Sequence, residues 1–479
     1  MQDLVLLAID TARQKGADYA DARVVHLRRQ NIACEDQRVS QLADSEDWGI
    51  GVRVIADGAW GFAGTSLLTR EEVQRVAVEA VAIAKASASA RRKPVRLAPE
   101  PVHQMSFRSV CDIDPFTVPI DQKVGLLLQI NDTLLKHEGI KKANSFMLFK
   151  REQRWFASTE GSLMDSVIYT TATGYTATAV GEGDARSRTY APPPRTMGYE
   201  NIRADDLLAN TERVAQQALE HLKAPEVDDM VTDLVLDPLN LALTMHESVG
   251  HPTELDRALG YEESLAGRSF ATPDKLHTLQ YASPIVNFVA DNTLPGGLAT
   301  QGFDDDGVEC QRWYIVKEGI FCGYSTSREV AAEIGLPRST GSTRADSWGS
   351  IPIVRQPNLS LMPGSQPLSF EELIADTKHG IYIEGMGSFS IDQMRQNFQF
   401  GGDAFWRIKI GRLVHMLKNV TYHSITEKFW NACDAICDER FWVPNGVLNC
   451  GKGDPMQIAQ MTHGAAPARF RQIQVRRAR

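Results

Sequence analysis

The sequence predicts an α+β protein with two domains, an N-terminal α/β sandwich-like domain and a C-terminal mainly-β domain that carries one buried helix. Three observations predict this fold class. The chain has 479 residues, more than a single hydrophobic core usually supports. Before residue 224, apolar residues at helical spacing alternate with strand-type runs, whereas later segments are rich in glycine, proline and strand patterns. The run Lys223–Asp229 combines proline with acidic residues, so the domains are expected at 1–224 and 225–479.

The N-terminal domain is expected to contain helices at 3–15, 70–87, 120–137 and 204–222. In the first of them, Val5, Ala8 and Ala12 have the spacing that places residues on one face of a helix. Thr69 and Glu72 stand three residues apart before an apolar run, which is the pattern of a capping box at a helix start. Each helix is therefore expected to turn one apolar face inward.

Strands are expected in the same domain at 23–29, 30–41, 49–56, 141–150, 152–158 and 163–181. These runs are rich in β-branched and aromatic residues. Asp57–Gly58 follows one of them and predicts a hairpin turn that needs positive φ. Residues 168–180 alternate in character, so one side of that strand should carry hydroxyl groups.

The C-terminal domain is expected to contain strands within 311–325, 351–363, 380–416 and 440–449, and helices at 327–333, 369–376 and 426–437. Gly302–Gly307 holds three aspartates and could bind Ca²⁺, but it lacks the spacing and the closing glutamate of an EF-hand. A solvated or substrate-lining loop is the favoured interpretation. The cationic end of the chain, Arg469–Arg479, is expected to be a solvated terminal strand.

The segment Leu234–Pro252 carries the main functional signal. An apolar strand-type run leads to Asp237–Pro238, a capping carboxylate followed by proline at the first helical position. The helix that follows is apolar around most of its circumference, so it should be buried. Its far end holds His246, Glu247 and His251. Two imidazoles and a carboxylate are costly to bury without a bound partner, and a metal ion is the commonest partner.

The spacing of the two histidines predicts a local distortion. They are five residues apart, about 140° around a regular helix, and would point away from each other. A single π-type turn brings residues i and i+5 onto one face. Gly250 gives the backbone freedom, while Pro252 disfavours regular helix at His251. The sequence therefore predicts a distorted last turn. The alternative interpretation is a capping or core histidine pair with a surface glutamate.

A third metal ligand must come from elsewhere, because a catalytic zinc usually has three protein ligands and one open position. Glu254, Asp256, the other histidines and the cysteines are candidates. Cys450 is favoured among the cysteines, since the glycines just after it free the backbone to approach a metal; the alternative is a buried loop thiol. Cys433 and Cys437 are four residues apart on an expected helix, and they are interpreted as packing thiols rather than ligands.

Bulk properties limit the remaining classes of function. Hydrophobic and charged contents of 43% and 23% are those of an ordinary soluble globular protein. A net charge of −9 argues against nucleic acid as the main partner. We find no apolar run of membrane-spanning length and no signal-peptide pattern at the N-terminus. Seven scattered cysteines do not suggest a disulfide framework, so a reduced, cytoplasmic protein is expected.

Nearly from end to end, the sequence resembles the TldD/PmbA family of proteases, sometimes labelled modulators of DNA gyrase. The specific motifs are His246–His251, with its continuation through Arg257, and the late Cys450–Lys452. The resemblance also includes Gly16–Arg23, Gly49–Ile55, Trp60–Phe62, Asp305–Gly307 and Pro352–Gly364.

The resemblance implies a TldD-type zinc peptidase, with His246, His251 and Cys450 as Zn²⁺ ligands and Glu247 as the catalytic carboxylate. It also implies dimerisation, either as a homodimer or with a metal-free TldE/PmbA-like sister subunit that lacks the histidine helix. Zinc would activate a water and polarise the scissile carbonyl, and Glu247 would carry the proton to the leaving amine.

The expected substrate is a peptide or an unfolded polypeptide held in extended form by strand addition. Two other functions stay open at this point. One is a non-catalytic peptide-binding subunit with a vestigial metal site. The other is a zinc amidase or deaminase that acts on small molecules.

Overall fold

A computed structural model describes residues 1–181 and 183–478. The α-helices of its N-terminal part are α1 (Gln2–Gln14), α2 (Arg70–Ser87), α3 (Ile120–Leu135), α4 (Ala204–Ala209) and α5 (Thr211–Lys223). The strands are β1 (Tyr19–Glu35), β2 (Arg38–Ala56), β3 (Ala59–Thr65), β4 (Gln104–Arg108), β5 (Ile140–Ser158), β6 (Leu163–Gly181) and β7 (Asp184–Tyr190). These strands form one sheet in the order β3-β2-β1-β5-β6-β4, with β7 paired to β6.

The helix patterns of the N-terminal part are largely confirmed. The predicted helices at 3–15, 70–87 and 120–137 correspond to α1, α2 and α3. Val5 and Ala12 are completely buried, as their spacing requires. The Thr69 hydroxyl accepts a hydrogen bond from the backbone N–H of Glu72 and caps α2. The prediction of one helix over 204–222 is wrong, because the chain turns at Asn210 and separates α4 from α5.

The strands of this sheet are longer than predicted, because polar residues inside them have buried partners. β1 continues through the predicted break after residue 29 and pairs with both β2 and β5. Gln30 is buried there, where it donates a hydrogen bond to Asp44 and accepts one from Lys123. β5 likewise continues through the predicted break at residue 151, and Arg154 near its end is buried.

The two faces of the sheet have different neighbours, as the alternation of side chains along a strand requires. Even-numbered residues of β1, such as Ala22 and Ile32, pack with the helices in two hydrophobic clusters. Arg23 points to the opposite face and forms an ion pair with Asp305 of the C-terminal part. The helices therefore cover one face of the sheet, and the C-terminal part covers the other.

The α-helices of the C-terminal part are α6 (Pro238–Met245), α7 (Leu255–Ala258), α8 (Arg328–Glu333), α9 (Phe370–Ala375) and α10 (Thr426–Asn431). The strands are β8 (Met230–Leu236), β9 (Phe288–Asp291), β10 (Arg312–Lys317), β11 (Ile320–Phe321), β12 (Thr343–Arg344), β13 (Ile353–Val354), β14 (Leu359–Leu361), β15 (His379–Glu384), β16 (Phe389–Ile391), β17 (Asn397–Phe400), β18 (Ala404–Lys409), β19 (Arg412–Leu417), β20 (Val420–Ile425), β21 (Cys433–Ile436), β22 (Val443–Lys452), β23 (Gln457–Ala465) and β24 (Ala468–Arg477). Strands dominate, so the predicted α+β class with a mainly-β C-terminal part is confirmed.

Two sheets of the C-terminal part enclose the helix that carries the histidines. One has nine strands, in the order β16-β17-β20-β24-β8-β15-β18-β19 with β21 paired to β24. The other has six, in the order β11-β10-β9-β14-β23-β22. Helix α6 contacts β15 of the first sheet and β22 and β23 of the second. Among the described residues, no helix has the length and apolar character needed to cross a membrane.

Two predictions at the C-terminal end are wrong. The helix expected over 426–437 ends at Asn431, and Cys433 begins a strand that pairs with β24. Cys433 and Cys437 are both buried in the main core, so they pack there without sharing a helix. The expected solvated strand from Arg469 is instead β24, an inner strand between β20 and β8. Its apolar residues, among them Phe470, are buried, whereas Arg479 lies outside the described residues.

The loop Gly302–Gly307 is neither solvated nor shaped for calcium. Its three carboxylates are buried, and two of them meet arginines of the N-terminal sheet. Asp305 contacts Arg154 at 2.9 Å and Arg23 at 3.3 Å, and Asp306 contacts Arg53 at 2.7 Å. The interpretation as a solvated loop is therefore wrong, whereas the interpretation as a substrate-lining loop remains a prediction. The sequence pattern predicts an exposed loop because the arginine partners of these carboxylates lie more than a hundred residues away along the chain.

Replacement of Asp305 by alanine tests this ionic layer. The substitution would leave Arg23 and Arg154 buried without their shared counter-charge, so the free energy of unfolding should fall by about 3 to 5 kcal/mol in denaturant titrations. Glu79→Ala removes an exposed partner of Arg75 and should change it by no more than about 0.5 kcal/mol. Equal effects of the two substitutions would contradict the structural role of the layer.

Candidate metal centre

The helix α6 begins as the sequence predicts. Pro238 occupies its first position, and Asp237 Oδ1 accepts hydrogen bonds from the backbone N–H of Asn240 at 2.6 Å and of Gly385 at 3.0 Å. Asn240 in turn donates to the carbonyls of Gly385 and Gly401, each at 2.8 Å. The start of the helix is therefore fixed to the loops that follow β15 and β17.

The far end of the helix is distorted in the predicted way. His246–Gly250 forms a π-turn, and His251–Thr253 continues as a tight 3₁₀ turn. The extra residue in the π-turn brings the two imidazoles together, with 4.8 Å between their ring centroids. The predicted distortion is confirmed, and the interpretation of Glu247 as a surface residue is wrong, because Glu247 is buried.

Side chains from outside the helix hold the π-turn. Tyr281 donates a hydrogen bond to the carbonyl of Ser248, and Trp430 Nε1 donates to the Ser248 hydroxyl at 2.9 Å. Gln356 Nε2 donates to the carbonyl of His246 at 3.0 Å. Gly250 packs directly on Gln356, and a Cβ added at Gly250 would lie only 1.9 Å from Oε1 of that side chain.

Cys450 reaches the histidines from the second sheet. It lies on β22, beside an irregularity in the pairing of β22 with β23. Its Sγ is 3.8 Å from His251 Nε2, and one donor atom each from His246, His251 and Cys450 lie within 4.8 Å of one another. All three residues are buried, so helix and hairpin present a compact group of two nitrogens and one sulfur.

The other ring nitrogens of the histidines are already engaged. A hydrogen bond of 2.8 Å joins His246 Nδ1 to His463 Nε2, and one of 2.9 Å joins His251 Nδ1 to Glu254 Oε2. Contacts of this kind orient the rings and leave Nε2 facing the centre, as in protein metal sites. Glu254, a candidate third ligand in the sequence, thus lies behind His251.

Asp256, the other carboxylate candidate, also lies outside the group of donor atoms. Lys452 Nζ contacts both of its carboxylate oxygens at 2.8 Å and donates to the carbonyl of Val354 at 2.9 Å. Lys452 follows Cys450 by two residues on β22. Its ion pair with Asp256 therefore ties the cysteine hairpin to the helical segment that follows His251.

The electrostatics of the group favour neutral imidazoles beside an ionisable thiol. Burial lowers the pKa of His246, and it lowers the pKa of His251 well below its ordinary value. Burial alone would raise the pKa of the Cys450 thiol, but His251 and Arg355 outweigh it and the pKa is lowered. Neutral imidazole and thiolate are the forms that bind metal ions.

Glu247 points to a cation that the sequence does not single out. Its Oε2 forms an ion pair with Nη1 of Arg395, and both side chains are largely buried. Arg395 sits in a turn with a left-handed backbone, φ 62°, between β16 and β17. Asp392 shapes this turn by accepting hydrogen bonds from the backbone N–H groups of Gln396 and Asn397.

Sequence reasoning missed the supporting residues around the histidines. His463 is one of several histidines that the sequence leaves as possible ligands, Gln356 lies in the Pro352–Gly364 segment without an assigned role, and Arg395 belongs to no motif. These three residues are more than a hundred positions from the π-turn and reach it through sheet pairing and loops. The sequence shows only that these three residues are polar side chains in strand-like segments. Exposed polar residues give the same pattern, so the sequence does not distinguish the two cases.

A buried helix with two histidines and a glutamate, facing a cysteine from a β-hairpin, defines a candidate metallohydrolase. Family models match most of the chain: PmbA/TldA metallopeptidase domain 1 at residues 20–84, the central domain at 113–224 and the C-terminal domain at 229–476. The chain therefore belongs to the PmbA/TldA metallopeptidase family. The two-domain division at residue 224 remains a prediction.

Proteins named as metalloproteases are similar in sequence over most of the chain. The chain is 28% identical to a metalloprotease of Methanocaldococcus jannaschii over 406 aligned residues. The alignment covers 84% of this chain and 86% of that metalloprotease. The chain is 22% identical over 480 residues to a zinc metalloprotease TldD homolog of Saccharolobus solfataricus, 98% of each chain. The fold is similar to that of TldE from Thermococcus kodakarensis, with a TM-score of 0.74, 15% identity and coverage of 99% and 100%.

Gly250→Ala tests whether the π-turn depends on close packing. The new methyl group would collide with the buried Gln356, so the free energy of unfolding should fall by about 1 to 3 kcal/mol in denaturant titrations. Gly125→Ala is the matched control, because Gly125 lies in α3 with no heavy atom within 4 Å of the added carbon. The free energy of unfolding of the control should rise by about 0.5 to 1 kcal/mol, because alanine has a higher helix propensity than glycine. A stabilised Gly250→Ala protein would contradict the packing argument.

Proposed function

We propose that this protein is a zinc-dependent peptidase that hydrolyses peptide bonds of extended or unfolded polypeptides. The observation that carries the proposal is the group of His246, His251 and Cys450 donor atoms within 4.8 Å, with Glu247 on the same helical segment. The metalloprotease names of the relatives support the same reaction class.

The residues present fit zinc better than the common oxygen-binding cations. Two imidazoles and a thiolate are the donor types that zinc prefers, whereas magnesium and calcium take oxygen ligands. The outer nitrogens of both imidazoles already have partners, so the inner nitrogens are free to bind an ion. His246, His251 and Cys450 would hold the zinc.

When bound, the ion would supply Lewis-acid activation of a water molecule and of the scissile carbonyl. Glu247 would accept the proton of the attacking water and donate it to the leaving amine. Arg395 fixes the orientation of the Glu247 carboxylate through their ion pair. Burial of the whole group excludes bulk water, which strengthens these electrostatic interactions.

An extended polypeptide is the proposed substrate because β22 lies at the edge of its sheet and carries Cys450. An added strand would hydrogen-bond to the edge strand through its main-chain groups, which any extended peptide presents. We also propose a dimer, either of two copies or with a TldE/PmbA-like sister subunit. The likeness of the fold to TldE supports the second arrangement.

Metal content tests the ligand assignment. The wild-type protein is expected to retain about one zinc per chain after dialysis, and His246→Ala, His251→Ala and Cys450→Ala should each lose it, because a zinc site needs all its protein ligands. His415→Ala removes an exposed histidine on β19 and should keep the metal. Full zinc in any of the three site variants, measured by elemental analysis, would contradict the assignment.

Glu247→Gln separates catalysis from metal binding. This variant should retain zinc but cleave an unfolded polypeptide about a hundred to ten thousand times more slowly, because the proton acceptor is removed. Glu79→Gln, a change at an exposed carboxylate of α2, should cleave at the wild-type rate. Cleavage by Glu247→Gln at the normal rate would show that another group accepts the proton. A zinc-loaded wild-type protein that cuts no polypeptide would favour the non-catalytic alternative.

A further inference from the structure

A cavity of about 340 Å³ lies between the two parts of the chain. One wall is the face of the N-terminal sheet that points away from the helices, with residues of β1, β5 and β6. The other wall consists of Leu448 and Asn449 of β22, residues 458–460 of β23, and Arg344 of β12. The cavity is thus bounded by the edge strand that carries Cys450.

The lining of this cavity is positive, in a protein whose net charge is −9. Its cations are Arg29, Lys150, Arg154 and Arg344, and its carboxylates are Glu152 and Asp346. Glu152 is shared by Lys150 and Arg154, which contact it from neighbouring positions of β5. Four cations against two carboxylates leave the lining with an excess of two positive charges, although one of the cations, Arg154, is also paired with Asp305, which does not line the cavity.

The excess charge lies mainly on Arg344 and Arg29. Arg344 donates hydrogen bonds to the carbonyls of Gln460 and Gln356, and it forms no ion pair among the described residues. Burial and the neighbouring Arg355 lower the pKa of Arg344 to about 10, as expected for a cation that lacks a counter-charge. Arg29 is exposed at the mouth of the cavity.

A similar imbalance affects Lys150 on the opposite wall. Burial, reinforced by Arg29, lowers the pKa of Lys150, although Glu152 acts in the opposite direction. A bound anion would relieve the repulsion among these cations. The charge pattern therefore favours an anionic ligand over a neutral one.

The position of the cavity connects it to the candidate metal centre. Cys450 pairs with Ala459 across the β22–β23 hairpin, and Ala459 lines the cavity. Gln356, which accepts from Arg344, also donates to the carbonyl of His246. If a polypeptide lies along β22 with one peptide bond at the metal donors, the residues next to that bond would therefore lie in the cavity.

We propose that this cavity is a substrate subsite that binds carboxylates of the polypeptide, so that acidic unfolded segments are the preferred substrates. The proposal rests on the proposed peptidase function. Arg344 and Lys150 contact the carboxylate inside the cavity, and Arg29 attracts it at the mouth. Aspartate or glutamate side chains and the terminal carboxylate of a chain share this chemistry.

Binding to the full-length Glu247→Gln variant tests the subsite without turnover. The probes are fluorescent peptides of one length that carry three glutamates or three glutamines, each with a free or an amidated C-terminus. The glutamate peptides should bind at least about tenfold more tightly by fluorescence anisotropy, because buried cations gain charged partners. Added salt should reduce the preference. A preference for the free over the amidated glutamine peptide would identify the terminal carboxylate as the ligand.

Substitutions within the cavity locate the effect. Arg29→Gln, at an exposed position that the fold does not need, should weaken binding of the glutamate peptide by about threefold. Arg29→Gln combined with Lys150→Gln should bring the two peptides to similar affinities. Arg412→Gln, a loss of the same charge at an exposed residue of β19, should leave the preference unchanged. Equal binding of the amidated glutamate and the amidated glutamine peptides by the unsubstituted cavity, with no preference for a free C-terminus, would overturn the proposal.

Cleavage by the zinc-loaded wild-type protein separates this proposal from the proposed function. Equal cleavage of both peptides, with no charge preference in binding, would overturn the acidic subsite and leave the peptidase intact. A charge preference in binding, without chelator-sensitive cleavage of either peptide, would support the subsite and overturn the peptidase.

Discussion

The geometry of the candidate site depends on one irregular turn. His246 and His251 are five residues apart, and a regular helix would separate their side chains. The π-turn at His246–Gly250 removes this separation and places both rings on the side that faces β22. A π-turn is a rare departure from the regular helix, so we expect contacts from outside the helix to stabilise it. Tyr281, Trp430 and Gln356 supply these contacts from three different elements of the C-terminal part.

The same dependence explains the architecture around the turn. Helix α6 lies between two sheets, so the residues that support it can approach from both sides. The nine-stranded sheet fixes the start of the helix through the loop at Gly385, and the six-stranded sheet brings Cys450 to its end. The three donor residues all lie outside the N-terminal sheet, but the face of that sheet that points away from the helices closes the cavity beside β22. Each part of the chain therefore has a separate role around one short segment.

The sequence predicted features whose causes are local. The helix start at Asp237, the hairpin at Asp57–Gly58 with both residues at positive φ, and the distorted turn after Met245 all follow from residue types at neighbouring positions. It failed where the cause is a distant partner. Asp305 and Asp306 look solvated in the sequence because their arginine partners come from β1, β2 and β5. His463 and Arg395 were missed for the same reason, since sheet pairing and loop closure place them beside the helix.

The charges around the donor group explain why it is suited to a nitrogen- and sulfur-binding ion. The three nearby carboxylates all have cationic partners: Glu247 pairs with Arg395, and Lys452 contacts both Glu254 and Asp256. Carboxylates held in this way are poor competitors for a metal ion, because binding would require a buried ion pair to break. Among the described residues, the inner atoms of the imidazoles and of the thiol form no ion pair, and those of His251 and Cys450 lie 3.8 Å from each other. The ion pairs thus select among the donors, and the set that remains free is one that zinc favours over magnesium or calcium.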